Sequence, residues 1–360
     1  MTKERVRTGA EALREATEQA MTADERIILI GEGVPDPKGI FGTTLGLREQ
    51  FGSDRVFDMP VSENALTGIC IGAALRGLKP IMTHQRVDFA LYALEQIINN
   101  AAKWGFMFGS TQRVPLVIRL VIGRGWGQGP QHSQSLQALF AHIPGLKVVM
   151  PAFPADAKGL LLASIADEGP VIFLEHRWIH GLTGPVPAAP YEIPLGQAAV
   201  RRAGADVTIV ASSYMTVEAI RAADVLQRAG VAAEVIDLRT IQPLDAATVI
   251  TSVRRTGRLM VIDSSWRSFG AAAEIVARVA ETMDLKLKHV PVRITLPDMP
   301  APSAPSLTRS YYPTYREIAE QALGMFGHGE DELRQRVAAL GDLRATVPHD
   351  VPDMSFCGPF

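Results

Sequence analysis

The sequence predicts an α/β protein built from two doubly wound domains with mainly parallel sheets. Short apolar runs typical of strands alternate with helix-length segments, and a segment rich in Pro, Gly and Ala interrupts this alternation at 182–194. The length of 360 residues also favours two domains over one. Strands separated by helices are expected to pair in parallel, with helices covering both faces of the sheet.

The first domain is expected to begin with an amphipathic helix at 8–21 and a buried strand at 26–30. Its further strands are predicted at 79–84, 114–121, 145–152 and 170–176, and its further helices at 62–77, 90–103 and 155–166. The second domain repeats the alternation on a smaller scale. Its strands are predicted at 206–212, 232–238 and 258–263, and its helices at 217–229, 246–254 and 271–282.

We place the domain boundaries accordingly. Residues 1–186 form the first domain, 187–196 a linker, 197–323 the second domain and 324–360 a C-terminal extension. Within the extension, 327–340 is typical of a short charged helix and 344–360 of an extended tail.

Composition excludes several classes of protein. A formal net charge of −2 with 21% charged residues gives no strong field for nucleic acid or an anionic membrane. The N-terminus lacks the apolar stretch of a signal peptide, and no uncharged apolar run approaches the roughly 20 residues of a membrane span. Cys70 and Cys357 are too few for a disulfide framework, so we expect a soluble, cytoplasmic protein.

Glu63 is the first polar residue that needs explanation. It opens the predicted helix at 62–77, whose following residues, ALTGICIGAAL, are apolar nearly all round and therefore predict a buried helix. A carboxylate here could simply favour the helix dipole, with Ser62 as cap. Alternatively, its partial desolvation suits proton exchange. Gly68 and Gly72 favour close approach of another helix, including one across a subunit interface.

A glycine-rich loop, GRGWGQGPQHSQS at 123–135, is the second candidate site. Dense glycine allows the backbone to come close to a ligand. His132 is either a hydrogen-bonding or acid–base group or a structural loop histidine. The sequence contains no P-loop, no H-E-x-x-H or C-x-x-C metal motif and no G-x-S-x-G elbow, while Glu32 is explained equally well by a solvated turn.

These motifs resemble those of the beta subunits of thiamine-diphosphate-dependent 2-oxo acid dehydrogenase components, the pyruvate, branched-chain and acetoin enzymes. The matching stretches cover most of the chain up to about residue 323. They are EALREA (11–16), GEGV (31–34), GIFGTTLGLREQFGSDRVFDMPVSENALTG (39–68), EQIINNAAK (95–103), QHSQS (131–135), PGLKVVMPAFPADAKGLL (144–161) and EVIDLRTIQPLD (234–245).

The resemblance implies a transketolase-like pyrimidine-binding domain followed by a transketolase C-terminal-like domain. It also implies roles for four residues. Glu63 would hydrogen-bond the aminopyrimidine ring of thiamine diphosphate and so promote formation of the ylide. Phe89 would stack on the pyrimidine and Glu32 would lie near it, while His132 would assist the acyl intermediate and its transfer to lipoamide.

The resemblance further implies metal sites and partners. A potassium ion would be held by backbone groups of Leu116, Ser164 and Gly169 and by Asp167. The G-D-G and downstream Asn that bind magnesium and diphosphate in such enzymes are missing, which implies that an alpha subunit holds that half of the site in an α₂β₂ heterotetramer. A lipoyl acyltransferase core would be the further partner, and a 2-oxo acid the substrate.

Three residues depart from the family pattern. Arg86 stands where phenylalanine is common, and Arg124 and Trp126 stand where small residues are usual. A bulky, basic pocket would suit a polar or aromatic 2-oxo acid, or an acceptor other than lipoamide.

The leading hypothesis is therefore decarboxylation of a 2-oxo acid, or cleavage of an acyloin, with acyl transfer to lipoamide. The alternatives are a split transketolase-like or acyloin-forming carboligase with an aldehyde acceptor, and a degenerate subunit retained for assembly.

Overall fold

The predicted architecture is confirmed in a computed structural model, which describes residues 5–36, 39–124, 127–282, 284–327 and residues 332, 335 and 337. Two mainly parallel sheets are flanked by helices, and a two-stranded sheet accompanies them. The strands are β1 (Val6–Thr8), β2 (Ile27–Gly31), β3 (Val56–Asp58), β4 (Lys79–His84), β5 (Val117–Ile122), β6 (Lys147–Val149), β7 (Val171–His176), β8 (Thr183–Pro185), β9 (Ala199–Arg202), β10 (Val207–Ala211), β11 (Ala233–Asp237), β12 (Thr240–Gln242), β13 (Leu259–Trp266) and β14 (Val292–Leu296).

The helices lie between these strands. They are α1 (Gly9–Ala23), α2 (Leu47–Phe51), α3 (Glu63–Leu75), α4 (Ala102–Met107), α5 (Gln137–Ala141), α6 (Pro154–Ala166), α7 (Tyr214–Arg228), α8 (Ala246–Thr256), α9 (Ala271–Ala280), α10 (Pro305–Tyr311) and α11 (Tyr315–Gly324). Short 3₁₀ helices occupy Gly39–Gly42, Phe89–Ala93 and Arg177–Ile179. Within the described part of the chain, no helix is both long and apolar enough to cross a membrane.

The larger sheet has seven strands in the order β12–β6–β7–β5–β4–β2–β3. Only β12 runs antiparallel to its neighbour, and the other pairs are parallel. Every residue of β2, β5 and β7 is buried, because helices cover both faces of the sheet. This burial explains why these strands are continuous apolar runs in the sequence.

The smaller sheet has five strands in the order β14–β13–β10–β11–β9, with β9 antiparallel at its edge. The α7 and α11 helices pack on one face of it and bury Leu226 and Ile318. The start of α1 is fixed by a capping box, in which Thr8 and Glu11 bond each other's backbone N–H groups.

The two halves of the chain are joined by more than the segment between them. Strand β12, from the second half, pairs with β6 of the larger sheet. Beside it, Arg201 donates to Asp237 at 2.7 Å and also contacts Asp156, and Arg239 lies 2.7 Å from Asp156. The proposed linker at 187–196 contains no helix or strand, whereas β8, just before it, pairs with β1.

Two helix predictions need correction. The helix predicted at 90–103 is a 3₁₀ turn, a π-helical stretch at Gln96–Ala101 and then α4. The prediction that the helix opened by Glu63 is buried all round was wrong for this chain by itself. Ile69 of α3 is 47% exposed, and Val61, just before the helix, is 80% exposed.

The predicted helix and tail of the C-terminal extension lie mostly outside the described residues.

His84, at the end of β4, makes stability depend on pH. Its ring is buried, and neither ring nitrogen has a hydrogen-bond partner among the described residues. Burial lowers the pKa of His84 to about 4, whereas an unfolded histidine has a pKa of about 6.5. The stability that depends on neutral His84 is therefore present above about pH 6.5 and is lost as the pH falls towards about 4.

We expect the free energy of unfolding of the wild type to fall when the pH is lowered from about 7.5 to about 5. In His84→Met this fall should be smaller by about 2 kcal/mol. Urea unfolding of the full chain at both pH values measures this difference. Equal losses in the two proteins would show that His84 is not the group that titrates.

Candidate functional site

The residues singled out in the sequence meet at one edge of the larger sheet. Glu32 follows β2, Glu63 begins α3 after β3, Phe89 begins the 3₁₀ helix after β4, and His132 lies in the loop after β5. These strands are neighbours in parallel pairing, so their carboxyl ends lie side by side. In open α/β sheets this edge is where ligands bind.

Glu32 and Glu63 form an acidic pair. Burial, followed by the negative charges of Glu63 and Asp58, raises the pKa of Glu32. The Oε1 atom of Glu32 is buried and has no hydrogen-bond partner among the described residues. Asp58 instead accepts backbone N–H bonds from Gly33 at 3.0 Å and from Val34 at 2.7 Å, which fixes the turn after Glu32.

Glu63 is half-buried at the first turn of α3. The cap expected from Ser62 is absent, because the Ser62 side chain makes no hydrogen bond to the helix. Within the first turn, the Thr67 hydroxyl donates to the Glu63 carbonyl at 2.8 Å. The Glu63 carboxylate is close enough to Glu32 for its negative charge to raise the pKa of Glu32.

Phe89 and His132 contact each other across the next two strand ends. Their rings meet edge to face with centroids 5.5 Å apart, and both side chains are half-buried. Three side-chain hydrogen bonds among the described residues join the glycine-rich loop to the segment that carries Phe89, and one of them is the bond from Arg86 to Gln128. Arg86 Nη1 donates to the His132 carbonyl at 2.6 Å, and Gln134 donates to Asp88 at 2.7 Å.

A cluster of basic side chains lies next to this pair. Arg86 and Arg124 were singled out from the sequence, and both are buried. The Arg124 guanidinium lies over the Trp178 ring at 4.0 Å and over the Tyr312 ring at 4.7 Å. Trp126 lies outside the described residues. Arg177, which the sequence analysis missed, follows β7 and shares Gln128 with Arg86.

The predicted potassium ligands lie together at the opposite end of the strands. The Leu116 carbonyl, just before β5, accepts the Val171 N–H at 2.9 Å. Asp167 contacts the Lys147 ammonium and accepts the Gly169 N–H at 2.8 Å. The Ser164 hydroxyl donates to the carbonyl one turn earlier in α6. Among the described residues no group of three or more His, Cys, Asp or Glu could hold a metal ion.

Comparisons with known proteins agree with this architecture. Residues 7–180 match the transketolase pyrimidine-binding domain, and residues 196–318 match the transketolase C-terminal domain. A solved chain described as a split-gene transketolase, inactive beta4 tetramer, has a TM-score of 0.71 and 22% identity, and the match covers 89% of this chain and 98% of that one. At that identity the likeness concerns the fold alone.

Relatives at higher identity have functional names. The chain is 43% identical over 321 residues to the acetoin:2,6-dichlorophenolindophenol oxidoreductase subunit beta of Cupriavidus necator, covering 86% of this chain and 95% of the relative. It is 41% identical to the mitochondrial pyruvate dehydrogenase E1 component subunit beta-2 of Oryza sativa subsp. japonica, covering 88% and 85%. It is 38% identical to the 2-oxoisovalerate dehydrogenase subunit beta of Bacillus subtilis, covering 88% and 98%.

Gly123 begins the glycine-rich loop, and a substitution at this residue measures how tightly the loop is packed. Its φ is +91°, and a Cβ there would lie 2.2 Å from Nε2 of the buried His176. Gly123→Ala combines left-handed strain with overpacking, so we expect a loss of about 2–5 kcal/mol in the free energy of unfolding.

Gly46→Ala is the matched control, because Gly46 has a left-handed backbone with a φ of +75°, and the nearest atom to its added Cβ is Arg14 Nη2 at 3.9 Å. It should lose only the strain of about 1–2 kcal/mol. Urea unfolding of the two variants separates strain from packing, and equal losses would contradict tight packing at Gly123.

Proposed function

Since the chain belongs to the family of beta subunits of thiamine-diphosphate-dependent 2-oxo acid and acetoin dehydrogenases, we propose that it decarboxylates a 2-oxo acid, or cleaves an acyloin, together with an alpha subunit. The acyl unit passes to lipoamide. The names of the relatives favour this reaction over the carboligase alternative. The observation that carries the proposal is the meeting of Glu32, Glu63 and Phe89 at one sheet edge.

The residues at this edge fit the pyrimidine ring of the cofactor. The buried Glu32 Oε1, which has no hydrogen-bond partner among the described residues, matches a polar ring group that would complete its bonding. Glu63 offers a second carboxylate, and the half-buried Phe89 offers an aromatic face. When bound, thiamine diphosphate would supply a carbon nucleophile for the 2-oxo carbonyl and a cationic ring that accepts the electron pair left behind when carbon dioxide departs.

In this arrangement Glu63 holds and exchanges a proton at its carboxyl oxygen. Because Glu63 is partly shielded from water, a hydrogen bond between its carboxyl group and the pyrimidine ring would be stronger than the same bond in water. Glu32 binds and orients the ring, and Phe89 stacks on it. His132, held against Phe89 and anchored through its carbonyl by Arg86, presents its imidazole to the reacting acyl oxygen.

The diphosphate half of the cofactor belongs to the partner in this proposal. The sequence contains no G-D-G with a downstream Asn, so the alpha subunit would bind the diphosphate and magnesium. An α₂β₂ heterotetramer, a lipoyl acyltransferase core as further partner, and potassium at Leu116, Ser164, Asp167 and Gly169 complete the assembly that we propose. The domain boundaries and the cytoplasmic location stay predictions.

The exposed side of α3 supports docking of a partner beside Glu63. Val61 and Ile69 are exposed there, and Tyr92, on the 3₁₀ helix that packs against α3, is 76% exposed. An added Cβ at Gly72 would meet no atom within 4 Å, so another chain could approach the helix backbone closely. Val61 and Tyr92 lie within three residues of Glu63 and Phe89, so a partner bound to this face would adjoin the proposed cofactor site.

The role of Glu63 is tested in a complex made by co-expression with the alpha subunit. Calorimetric titration should show tight binding of thiamine diphosphate and magnesium to the complex only, and not to this chain alone. In Glu63→Gln we expect retained folding and a fall of roughly 10²–10⁴-fold in deuterium exchange at the thiazolium carbon.

Glu49→Gln is the matched control, since Glu49 is exposed on α2. It should exchange at the wild-type rate. Near-normal exchange in Glu63→Gln would remove the proposed role. Absence of cofactor binding by the complex would contradict the proposed enzyme.

The docking face is tested by Gly72→Leu. The new side chain replaces a glycine inside a helix, so the free energy of unfolding of the chain alone should be unchanged or higher by up to about 1 kcal/mol. It should nevertheless weaken assembly with the alpha subunit by at least about tenfold, because it blocks close approach.

Sedimentation velocity of the mixed subunits measures this assembly. Gln227→Leu is the control, because it adds an exposed leucine on α7, in the smaller domain. Normal assembly of Gly72→Leu would place the interface elsewhere.

A further inference from the structure

Two buried arginines at the site edge share a single acceptor. Arg86 Nη2 donates to the Gln128 side-chain oxygen, and Arg177 Nη1 donates to the same oxygen at 2.6 Å. Arg86 follows β4 and Arg177 follows β7, with β5 between those strands. The two guanidinium groups are therefore brought together by the order of strands in the sheet.

These two groups concentrate positive charge where water is scarce. Arg86 is 7% exposed and Arg177 is 1% exposed. Burial, followed by the charge of Arg86, lowers the pKa of Arg177 to about 9. Burial lowers the pKa of Arg86 as well, and the negative charge of Asp88 partly offsets this effect. The two carboxylates nearest in sequence also bond other side chains. Asp88 accepts a bond from Gln134, and Glu175 pairs with Arg119 and with His180.

The Gln128 amide oxygen stands in for one oxygen of an anion. Guanidinium groups bind carboxylate and phosphate oxygens more strongly than neutral amides, because the bond is charge-assisted. Gln128 is half-buried and lies between Gly127 and Gly129, whose φ angles are +65° and +67°. A carboxylate or phosphate oxygen in place of this amide oxygen would receive charge-assisted bonds from both guanidinium groups.

The location of the pair relates it to the reacting group. Arg86 also donates to the carbonyl of His132 at 2.6 Å, so the pair lies directly beside the proposed acyl-handling histidine. The Arg177 guanidinium lies over the Phe41 ring at 5.0 Å, which holds it in this position.

The chemistry of decarboxylation decides which anion suits this pair. The C1–C2 bond breaks, its electron pair passes to the cofactor, and the carboxylate leaves as neutral carbon dioxide. Two arginines on that carboxylate would stabilise the ground state more than the transition state and would slow the reaction. An anion at the far end of the substrate keeps its charge throughout and gains binding energy at no such cost.

We propose that Arg86 and Arg177 form a subsite for a second, retained anionic group, so that the preferred 2-oxo acid carries a carboxylate or phosphate at its far end. This inference rests on the proposed function. Its ligand carries at least two negative charges, in contrast to the monoanionic acids that have apolar tails.

The test compares acids of equal length in the co-expressed complex. The probes are 2-oxoglutarate, its 5-amide, which lacks only the negative charge at the far end, and the phosphonate 2-oxo-4-phosphonobutanoate. Calorimetric binding and kcat/KM are measured for each. We expect at least a tenfold preference for one of the two charged acids over the amide, and which one it is separates a carboxylate from a phosphate substrate.

Arg177→Gln should reduce that preference by at least tenfold, whereas Arg48→Gln, exposed on α2, should keep it. Thermal unfolding and circular dichroism exclude misfolding of the variant. Binding of the amide as tightly as both charged acids, or an equal loss for all three probes in Arg177→Gln, would overturn the subsite. Selective binding without turnover would uphold the subsite and contradict the proposed function instead.

Discussion

The shared carboxyl edge of the parallel strands is the constraint on which the rest of this molecule depends. Strands β3, β2, β4, β5 and β7 run in one direction, so the chain leaves every one of them on the same side of the sheet. At each exit the ladder of backbone hydrogen bonds ends and a polar side chain can extend. All of the candidate catalytic and cofactor-binding residues, and the two arginines of the proposed anion subsite, come from these exits.

A site with unpaired polar atoms needs a rigid support. Beneath the edge, Arg119 of β5 and Glu175 of β7 form a fully buried bidentate pair at 2.6 and 3.0 Å, and His180 adds a third bond at 2.9 Å. A buried pair of this kind holds its geometry when both partners are hydrogen-bonded. It fixes the end of β7, after which Arg177 follows, and so supports the position of Arg177.

The open face of α3 explains the unusual composition of this helix. Its first residue is charged because it belongs to the sheet edge, while its apolar flank is left for another chain in the function we propose. A helix that is apolar nearly all round is buried in a complete assembly. The exposed Ile69 and the uncovered Gly72 are the features of α3 on which we base the proposed docking face.

The sequence by itself determined the α/β class, the main strands and helices, the family and the strand ends that carry the candidate residues. It could do so because strands buried on both faces are apolar throughout, and in the helices between them apolar residues recur every three to four positions. It missed β3, β9, β12 and β14, which are short or partly exposed and lack such a run. Only the tertiary structure decided that Arg86 and Arg177 share Gln128, and that one side of α3 is open. Both depend on the order in which distant strands and helices pack, a property that no local stretch of sequence carries.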